Sequence, residues 1–505
     1  MAARSGYDAV VVGSGPNGLA AAVTLARAGH SVVVYEAKPT IGGGCRSAEL
    51  TLPGVTHDVC SAIHPMGAGS PFFRTLPLER YGLEWIQPPA PLAHPFDDGT
   101  AAVLERSVAA TAAGLGADGP AYQRLMGPFV RDWETIIRAF LGPIRPALAF
   151  HPFALSRFGL SAVRSARGLA EARFRDEPAR ALLAGISAHA MLPLEQPPSA
   201  SFGVMLALLG HAVGWPMARG GSQAIVAALA AYLRELGGTI VTGTEIGSLS
   251  ELPPARAVLC DVTPRQLLQM AGDRLPAGFA GRLGRFRYGP GVFKLDLAIN
   301  GPIPWAATDC ARAGTVHLGG TLREMAAGER TVWRGEEPDR PYVLLAQQSL
   351  FDPTRAPDGT QTVWAYCHVP SGSTADMTTR IEAQIERFAP GFRDRILARH
   401  TMNAVEMQAY NPNYIGGDIS GGVSDFWQLF TRPTISPIPY ATPVPGLYLC
   451  SSSTPPGAAV HGMCGYYAAQ MALHGALSTR RTWGLGDLLP LAAPSEPAEV
   501  PSRVP

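Results

Sequence analysis

Near the N-terminus the apolar positions come in short unbroken runs separated by glycine, the pattern of strands buried on both faces. Residues 7–12 (YDAVVV) form the first run and residues 31–35 (SVVVY) the second. Between them residues 19–28 have helical composition, and Gly29 marks the end of that helix. A similar unit lies further on, where Ile225, Val226, Leu229, Leu233 and Leu236 share one helical face of residues 223–236. Gly237-Gly238 stops that helix, and strands are predicted at 239–242 and 257–260. A third, shorter unit has a strand at 446–450 and a helix over 458–473 that opens with Val460, His461 and Gly462. Residues 121–216 read mainly as helix, and 286–370 mainly as strand, with 292–299 and 342–347 the clearest.

The turn after the first strand gives these elements a chemical purpose. It reads Gly13-Ser14-Gly15-Pro16-Asn17-Gly18, a G-x-G-x-x-G loop, and Glu36 stands at the end of the second strand. Gly13 allows the tight turn, Gly15 lets the backbone approach a pyrophosphate, and Gly18 lets helix and strand pack closely. The helix N-terminus offers N–H groups and partial positive charge to the phosphates. Glu36 can accept from both ribose hydroxyls and would repel a 2′-phosphate. Strand, loop, helix, strand and acid in this order predict a dinucleotide site.

A second glycine loop, Gly42-Gly43-Gly44-Cys45-Arg46-Ser47, follows Glu36 closely. Residues 10–47 thereby resemble the start of the FAD-dependent amine oxidase and phytoene desaturase superfamily. In that resemblance Gly42, Gly43 and Gly44 approach FAD by their backbone, and Arg46 lies against the diphosphate or flavin. Arg219-Gly220-Gly221-Ser222 and the unit after it resemble the middle FAD segment, where Ile246 would cover the adenine. The stretch from Pro456-Gly457 through Val460-His461-Gly462 resembles the C-terminal segment, whose helix N-terminus would face the flavin N1–C2=O edge. Ser451 and Ser453 stand where that family usually has glycine. The wording is nearest the desaturase-like branch, and within it the subgroup of pyridine nucleotide-disulfide oxidoreductase domain-containing protein 2. The resemblance runs from about residue 7 to about residue 477.

Composition changes the picture only a little. The 505 residues are 47% hydrophobic and 16% charged, with 41 basic against 40 acidic residues, so a nucleic-acid partner is not expected. Seven scattered cysteines offer no Cys-x-x-Cys pair, no disulfide framework and no metal site, which points to a reduced, cytoplasmic setting. The longest apolar stretch, 203–217, is broken by His211 and is too short to span a bilayer. Residues 135–175 hold seven arginines against the single acid Glu171, interleaved with apolar residues such as Ile144, Phe150 and Phe153. That stretch suits a solvated cap, an oligomer interface, peripheral contact with an anionic membrane or a partner's groove.

The predicted fold class is α/β: a discontinuous FAD-binding Rossmann-type domain plus a mixed-sheet substrate domain with a helical cap. The first takes residues 1–75, 217–265 and 440–482, the second 76–216 and 266–439, and 483–505 form a proline-rich tail. The cofactor-binding candidates are Gly13, Ser14, Gly15, Gly18, Glu36, Gly43, Gly44, Arg46, Ile246, Gly457, Val460, His461 and Gly462. His461, beside the predicted flavin edge, and Lys294, on the strand VFKLDLAI, are the candidates for catalysis; a Lys294–Asp296 ion pair on a solvated face is the plainer reading of the latter. His64, and the loop bearing Tyr410, Asn411 and Tyr414, are further candidates for the pocket wall. No metal is expected. The resemblance implies non-covalent FAD and an oxidoreductase that draws hydride to flavin N5 from a lipophilic, isoprenoid-type substrate. No second strand–GxGxxG–helix unit is present, so dioxygen or a quinone is the expected electron acceptor. A reduced-flavin polyene isomerase or saturase, and a non-catalytic FAD-binding regulatory protein, are the alternatives.

Overall fold

The computed structural model describes residues 6–142 and 151–478. Ile144, Arg145 and Phe150 of the basic stretch, and the proline-rich tail, lie outside the described residues.

The predicted strands of the three units assemble into one five-stranded sheet. Its order is Leu447–Leu449, Ala255–Cys260, Tyr7–Val12, Val32–Tyr35, Thr239–Val241, with every pairing parallel. Because the sheet is covered on both faces, the buried stretches of its strands are apolar, and the polar Asp8, Thr239 and Arg256 stand near the strand starts. Ala9, Val11, Val32 and Val34 face the helices Pro16–Arg27, Gln223–Glu235 and Met463–His474. Val10, Val12 and Val33 face Leu267, Met270 and Leu283 on the helices Pro264–Ala271 and Ala277–Leu283. The unbroken valine run and the two-sided burial are one fact seen twice.

A second sheet of seven strands runs Ile396–Met402, Gly291–Asn300, Thr360–Val369, Val343–Ala346, Ala313–Leu318, Ala90–Pro95, Ala101–Leu104. It is mixed: all pairings are antiparallel except Ala313–Leu318 with Ala90–Pro95. Its faces differ in chemistry. Leu295, Leu297, Val316, Leu345 and Val363 form an oily face under Ile381, Ile385 and Phe388 of the helix Thr378–Phe388. The other face carries Lys294, Asp296, Thr315, His317, Trp364 and Tyr366, all buried. Residues of one row across the sheet share a face, and one such row reads Asp296, Trp364, Ala346, Thr315.

That polar face lies beneath a helical cap, which includes Gly119–Arg131, Trp133–Phe140, Pro152–Ala162, Ala166–Arg173, Glu177–Ser187 and Ser199–Ala212. Most of the long apolar stretch lies in the last of these, buried from Ser199 to His211 except at Phe202, so its hydrophobicity belongs to the cap core. Among the described residues no helix is long and apolar enough to cross a membrane. Arg167 of the basic stretch reaches Glu171 at 2.8 Å and Glu195 at 3.3 Å.

The last helix begins five residues later than its composition suggests, at Met463 rather than 458. Ala459 has φ 116° and Gly462 φ 69°, so the segment between them cannot be helical. A buried ion group joins the short strand Thr56–Asp58 to the turn Pro353–Arg355, which precedes the strand Thr360–Val369. Arg355, wholly buried, holds Asp58 and Asp352 at 3.0 Å each, and Asp58 also accepts from the Ser222 N–H at 2.7 Å.

Candidate active site

The glycine loop is built as its sequence requires. Gly13 has φ 101°, and a Cβ on Gly18 would come within 2.0 Å of the Gly13 carbonyl oxygen. Gly15 caps the helix Pro16–Arg27, whose first turn has no side-chain cap and no acid. The second glycine loop is laid against it, so that a Cβ on Gly43 would sit 3.2 Å from the Gly15 Cα.

Glu36 lies at the mouth of this double loop with both carboxylate oxygens engaged. Oε2 accepts from the Ser14 N–H at 3.0 Å and the Ser14 hydroxyl at 2.6 Å. Oε1 accepts from the Lys38 N–H at 2.9 Å and from the Arg46 guanidinium at 3.0 Å. Arg46 also donates to the Thr40 and Gly43 carbonyls and lies over the Tyr410 ring. A cleft of about 190 Å³ opens between these groups, lined by Gly13, Ser14, Gly15, Glu36, Arg46 and Ile246. A dinucleotide fits this cleft by three marks: glycine where a side chain would block the backbone, an acid at the second strand's end, and an apolar residue on the same wall. Ser14, Glu36, Arg46 and Ile246 would hold such a group.

The cleft continues into a larger cavity of about 290 Å³. Gly15, Gly43, Asp261, Asn411 and Asn413 line both spaces. Beyond Gly44 and Val460 the wall becomes apolar and aromatic, with Met191, Phe202, Leu206, Trp215, Leu344 and Trp364. The cavity therefore joins the dinucleotide loops at one end to the cap and the seven-stranded sheet at the other.

The predicted residues divide accordingly. Gly13, Ser14, Gly15, Glu36, Gly43, Gly44, Arg46, Ile246 and Val460 line the cleft or the cavity; Gly18, Gly457, His461 and Gly462 do not. Gly18 packs the helix on its strand, and a Cβ on Gly462 would strike Phe73 at 2.6 Å. His461 is wholly buried; its Nδ1 accepts from the Met463 N–H at 3.0 Å, and burial pushes it down to about 4. It serves as an end-piece for the last helix.

Lys294 does pair with Asp296, but the pair is buried at 1% and 0% exposure, and the solvated face expected for it is absent. The reason is the sheet's second face, which water does not reach beneath the cap. The Lys294 ammonium stands 4.9 Å above the Trp364 ring, and neither member of the pair lines the cavity. Burial drives the Lys294 ammonium below its ordinary range, while Asp296 opposes that shift.

His64 lines the cavity and shares a hydrogen bond with the Ser222 hydroxyl at 2.8 Å. Tyr410 donates to the Gly43 carbonyl at 3.2 Å, and the Tyr414 hydroxyl lies 3.3 Å from the Cys60 sulfur. The loop bearing them covers the second glycine turn. Asp261 was not singled out by its sequence setting. It accepts from the Gly18 N–H at 2.9 Å, and burial raises its carboxyl to about 7. Its position at the end of the strand Ala255–Cys260, next to the first strand, is the signal that could have found it.

These features agree with comparisons to known proteins. Residues 11–76 match the family described as NAD(P)-binding Rossmann-like domain. The chain is 26% identical to mouse (Mus musculus) pyridine nucleotide-disulfide oxidoreductase domain-containing protein 2, over 92% of this chain and 93% of that protein. Among solved structures, an oxidoreductase from Methanosarcina mazei aligns with a TM-score of 0.61 at 16% identity, covering 92% of this chain and 99% of that one. Putrescine oxidase bound to putrescine aligns with a TM-score of 0.59 at 17% identity, covering 92% and 98%. The chain is thus a homologue of pyridine nucleotide-disulfide oxidoreductase domain-containing protein 2, with a Rossmann-like dinucleotide-binding domain joined to a mixed-sheet domain on a fold shared with these oxidoreductases.

Proposed function

We propose that the protein binds FAD non-covalently in the cleft and acts as a desaturase-like oxidoreductase on an apolar substrate, with dioxygen or a quinone as electron acceptor. The observation that carries this reading is the continuity of cleft and cavity past Gly15, Gly43 and Asp261. A dinucleotide lying along the glycine loops would present its far end to the aromatic chamber.

Bound FAD would supply the two-electron acceptor. The chain's own residues bind, orient and exclude water. The two glycine loops admit the cofactor by backbone, and Glu36 and Arg46 hold its polar half. Met191, Phe202, Leu206 and Trp215 remove water from the reacting carbon and fix its approach. No side chain on the cavity wall needs to move a proton for the hydride step. The neighbouring carbon then loses its hydrogen as a proton to solvent, and the electron pair left behind forms the new C=C bond.

The reading is tested by anaerobic mixing of the purified flavoprotein with lipophilic C–H donors, including polyenes. Loss of the oxidised-flavin absorbance on adding one of them is the expected result. Tight FAD that no member of the panel bleaches would favour a binding protein without turnover. Polyene isomerisation seen only after photoreduction would favour the isomerase.

A further inference from the structure

The cavity wall is not uniformly apolar. His189 sits on the short turn Ala188–Ala190, which ends at Met191 in a left-handed conformation, φ 53°. Both residues line the cavity. A non-glycine residue held in that region marks a turn fixed by its surroundings; here the Met191 carbonyl accepts from the Trp333 indole at 3.1 Å.

Behind His189 lies a second imidazole. The two Nε2 atoms of His189 and His317 are 3.1 Å apart, so one donates to the other. His317 is wholly buried on the strand Ala313–Leu318, and its Nδ1 has no partner among the described residues. A proton on that Nδ1 would be a buried, orphaned N–H. The proton therefore belongs on the His317 Nε2, which donates to the His189 Nε2, and the proton of His189 falls on its Nδ1. That Nδ1 makes no hydrogen bond to the described residues, and the ring stands on the cavity wall beside Trp215.

Two more polar groups share this end. Thr315 and Trp364, 1% and 5% exposed, line the cavity in one row of the sheet, and their Oγ1 and Nε1 atoms have no partner among the described residues. An indole N–H can only donate, so this end of the chamber asks for an acceptor. Among the described residues no lysine or arginine lines the cavity, so a carboxylate would be buried there without a counter-charge. An ammonium would bring only further donors.

We propose that His189, oriented by His317, is the hydrogen-bond donor that receives a neutral oxygen acceptor on an otherwise apolar substrate. This deepens the proposed function and rests on reading the cavity as the substrate site. His189 contacts the ligand, while His317 is a positioning residue that fixes which nitrogen carries the proton. Burial holds both rings neutral at physiological pH, pushing His189 down to about 3, so the donor is an imidazole N–H and not a cation. The substrate's oxygen is thereby held at the sheet end, and its hydrocarbon part is directed toward Gly44 and Val460.

The test uses the full-length protein with its cofactor content measured beforehand, and 2-octanone, octane, octanoate and octylammonium as probes. Binding is followed by tryptophan fluorescence and thermal shift, neither of which needs turnover. We expect 2-octanone to bind about 10-fold more tightly than octane, and more tightly than either ion. H189F should abolish that preference, H189N should restore part of it, and H317F should weaken it with His189 intact. Equal affinity for ketone and alkane, a preference for either ion, no ketone binding up to its solubility limit, or an unchanged preference in H189F would each overturn the proposal. A flavin-free preparation that still shows the ketone preference would count against the FAD reading and leave the His189 assignment standing.

Discussion

Arg46 lies against Glu36 at 3.0 Å, and with Ser14 and Lys38 it completes a set of four donors on one buried carboxylate. All acceptor positions of Glu36 are thereby occupied. A ribose that hydrogen-bonds to this carboxylate must displace one of those donors, and Arg46 is the one whose charge suits an adjacent phosphate. Replacing Glu36 by alanine removes the ribose acceptor and strands Arg46, so FAD affinity should fall by at least about 10-fold, near 1.4 kcal/mol. Arg46→Ala should cost a similar amount. Fluorescence titration of apoprotein with FAD measures both, and undiminished affinity in either variant would show that the pair is not at the cofactor.

Arg355 predicts stability. It lies wholly buried between Asp58 and Asp352, and it also donates to the Ala218 carbonyl. Arg355→Met leaves two carboxylates without their cation, and we expect a loss of about 3–5 kcal/mol by denaturant unfolding. Burial works against ionised Asp58, but Arg355 and the hydrogen bonds from Ser222 and Ser47 hold its carboxyl below the ordinary value of 3.8. A depressed folded-state pKa means that this contribution is complete above about pH 5 and is lost as pH falls through the folded value. The gap between wild type and Arg355→Met should therefore close in acid; a gap constant with pH would contradict the assignment.

Asp261 has the opposite sign. Burial raises its carboxyl from 3.8 to about 7, with Glu36 adding to the rise and the Gly18 N–H opposing it. A raised acid pKa makes the folded state bind a proton that the unfolded state has lost, so stability declines between about pH 4 and pH 7. Asp261→Asn keeps an oxygen for the Gly18 N–H and removes that decline. The variant should gain stability relative to wild type on the order of 1 kcal/mol per pH unit across this window. Thermal unfolding at pH 5 and pH 8 compares them, and parallel melting points at both would refute the buried carboxylic acid.

Gly465 is where the first and last helices cross. A Cβ there would stand 1.8 Å from the Asn17 carbonyl oxygen and 2.9 Å from the Ala21 nitrogen. Gly465→Ala should force the helices Pro16–Arg27 and Met463–His474 apart at a cost of about 1–3 kcal/mol. Since Pro16–Arg27 carries the dinucleotide loop, FAD retention should fall with stability. Full retention at wild-type stability would mean that the crossing is looser than described.

Much of the Rossmann-like half was legible because its signals are local. Valine runs, glycine turns and a terminal acid each imply a backbone conformation by themselves, and the five strands fell within a residue or two of their predicted limits. What was not legible depends on residues far apart in the chain. The Lys294–Asp296 pair alternates with apolar neighbours as a solvated strand would, and only the cap above the sheet makes that face dry. The grouping of Arg355 with Asp58 spans 297 residues and has no sequence signature. The composition places His461 at a helix start beside the cofactor, but Ala459 and Gly462 at positive φ delay the helix, and the ring is wholly buried against the Met463 N–H. His189 lies in an ordinary-looking segment, and only the fold brings His317 behind it.

FAD in the cleft between the two glycine loops is what the proposed function requires first. The direct measurement is the absorbance spectrum of the purified protein, followed by chromatography of the cofactor released on denaturation. A protein with FAD in the cleft shows the visible absorbance of an oxidised flavin and releases FAD in about a one-to-one ratio to the chain. A colourless protein that neither releases FAD nor takes it up on reconstitution would contradict it.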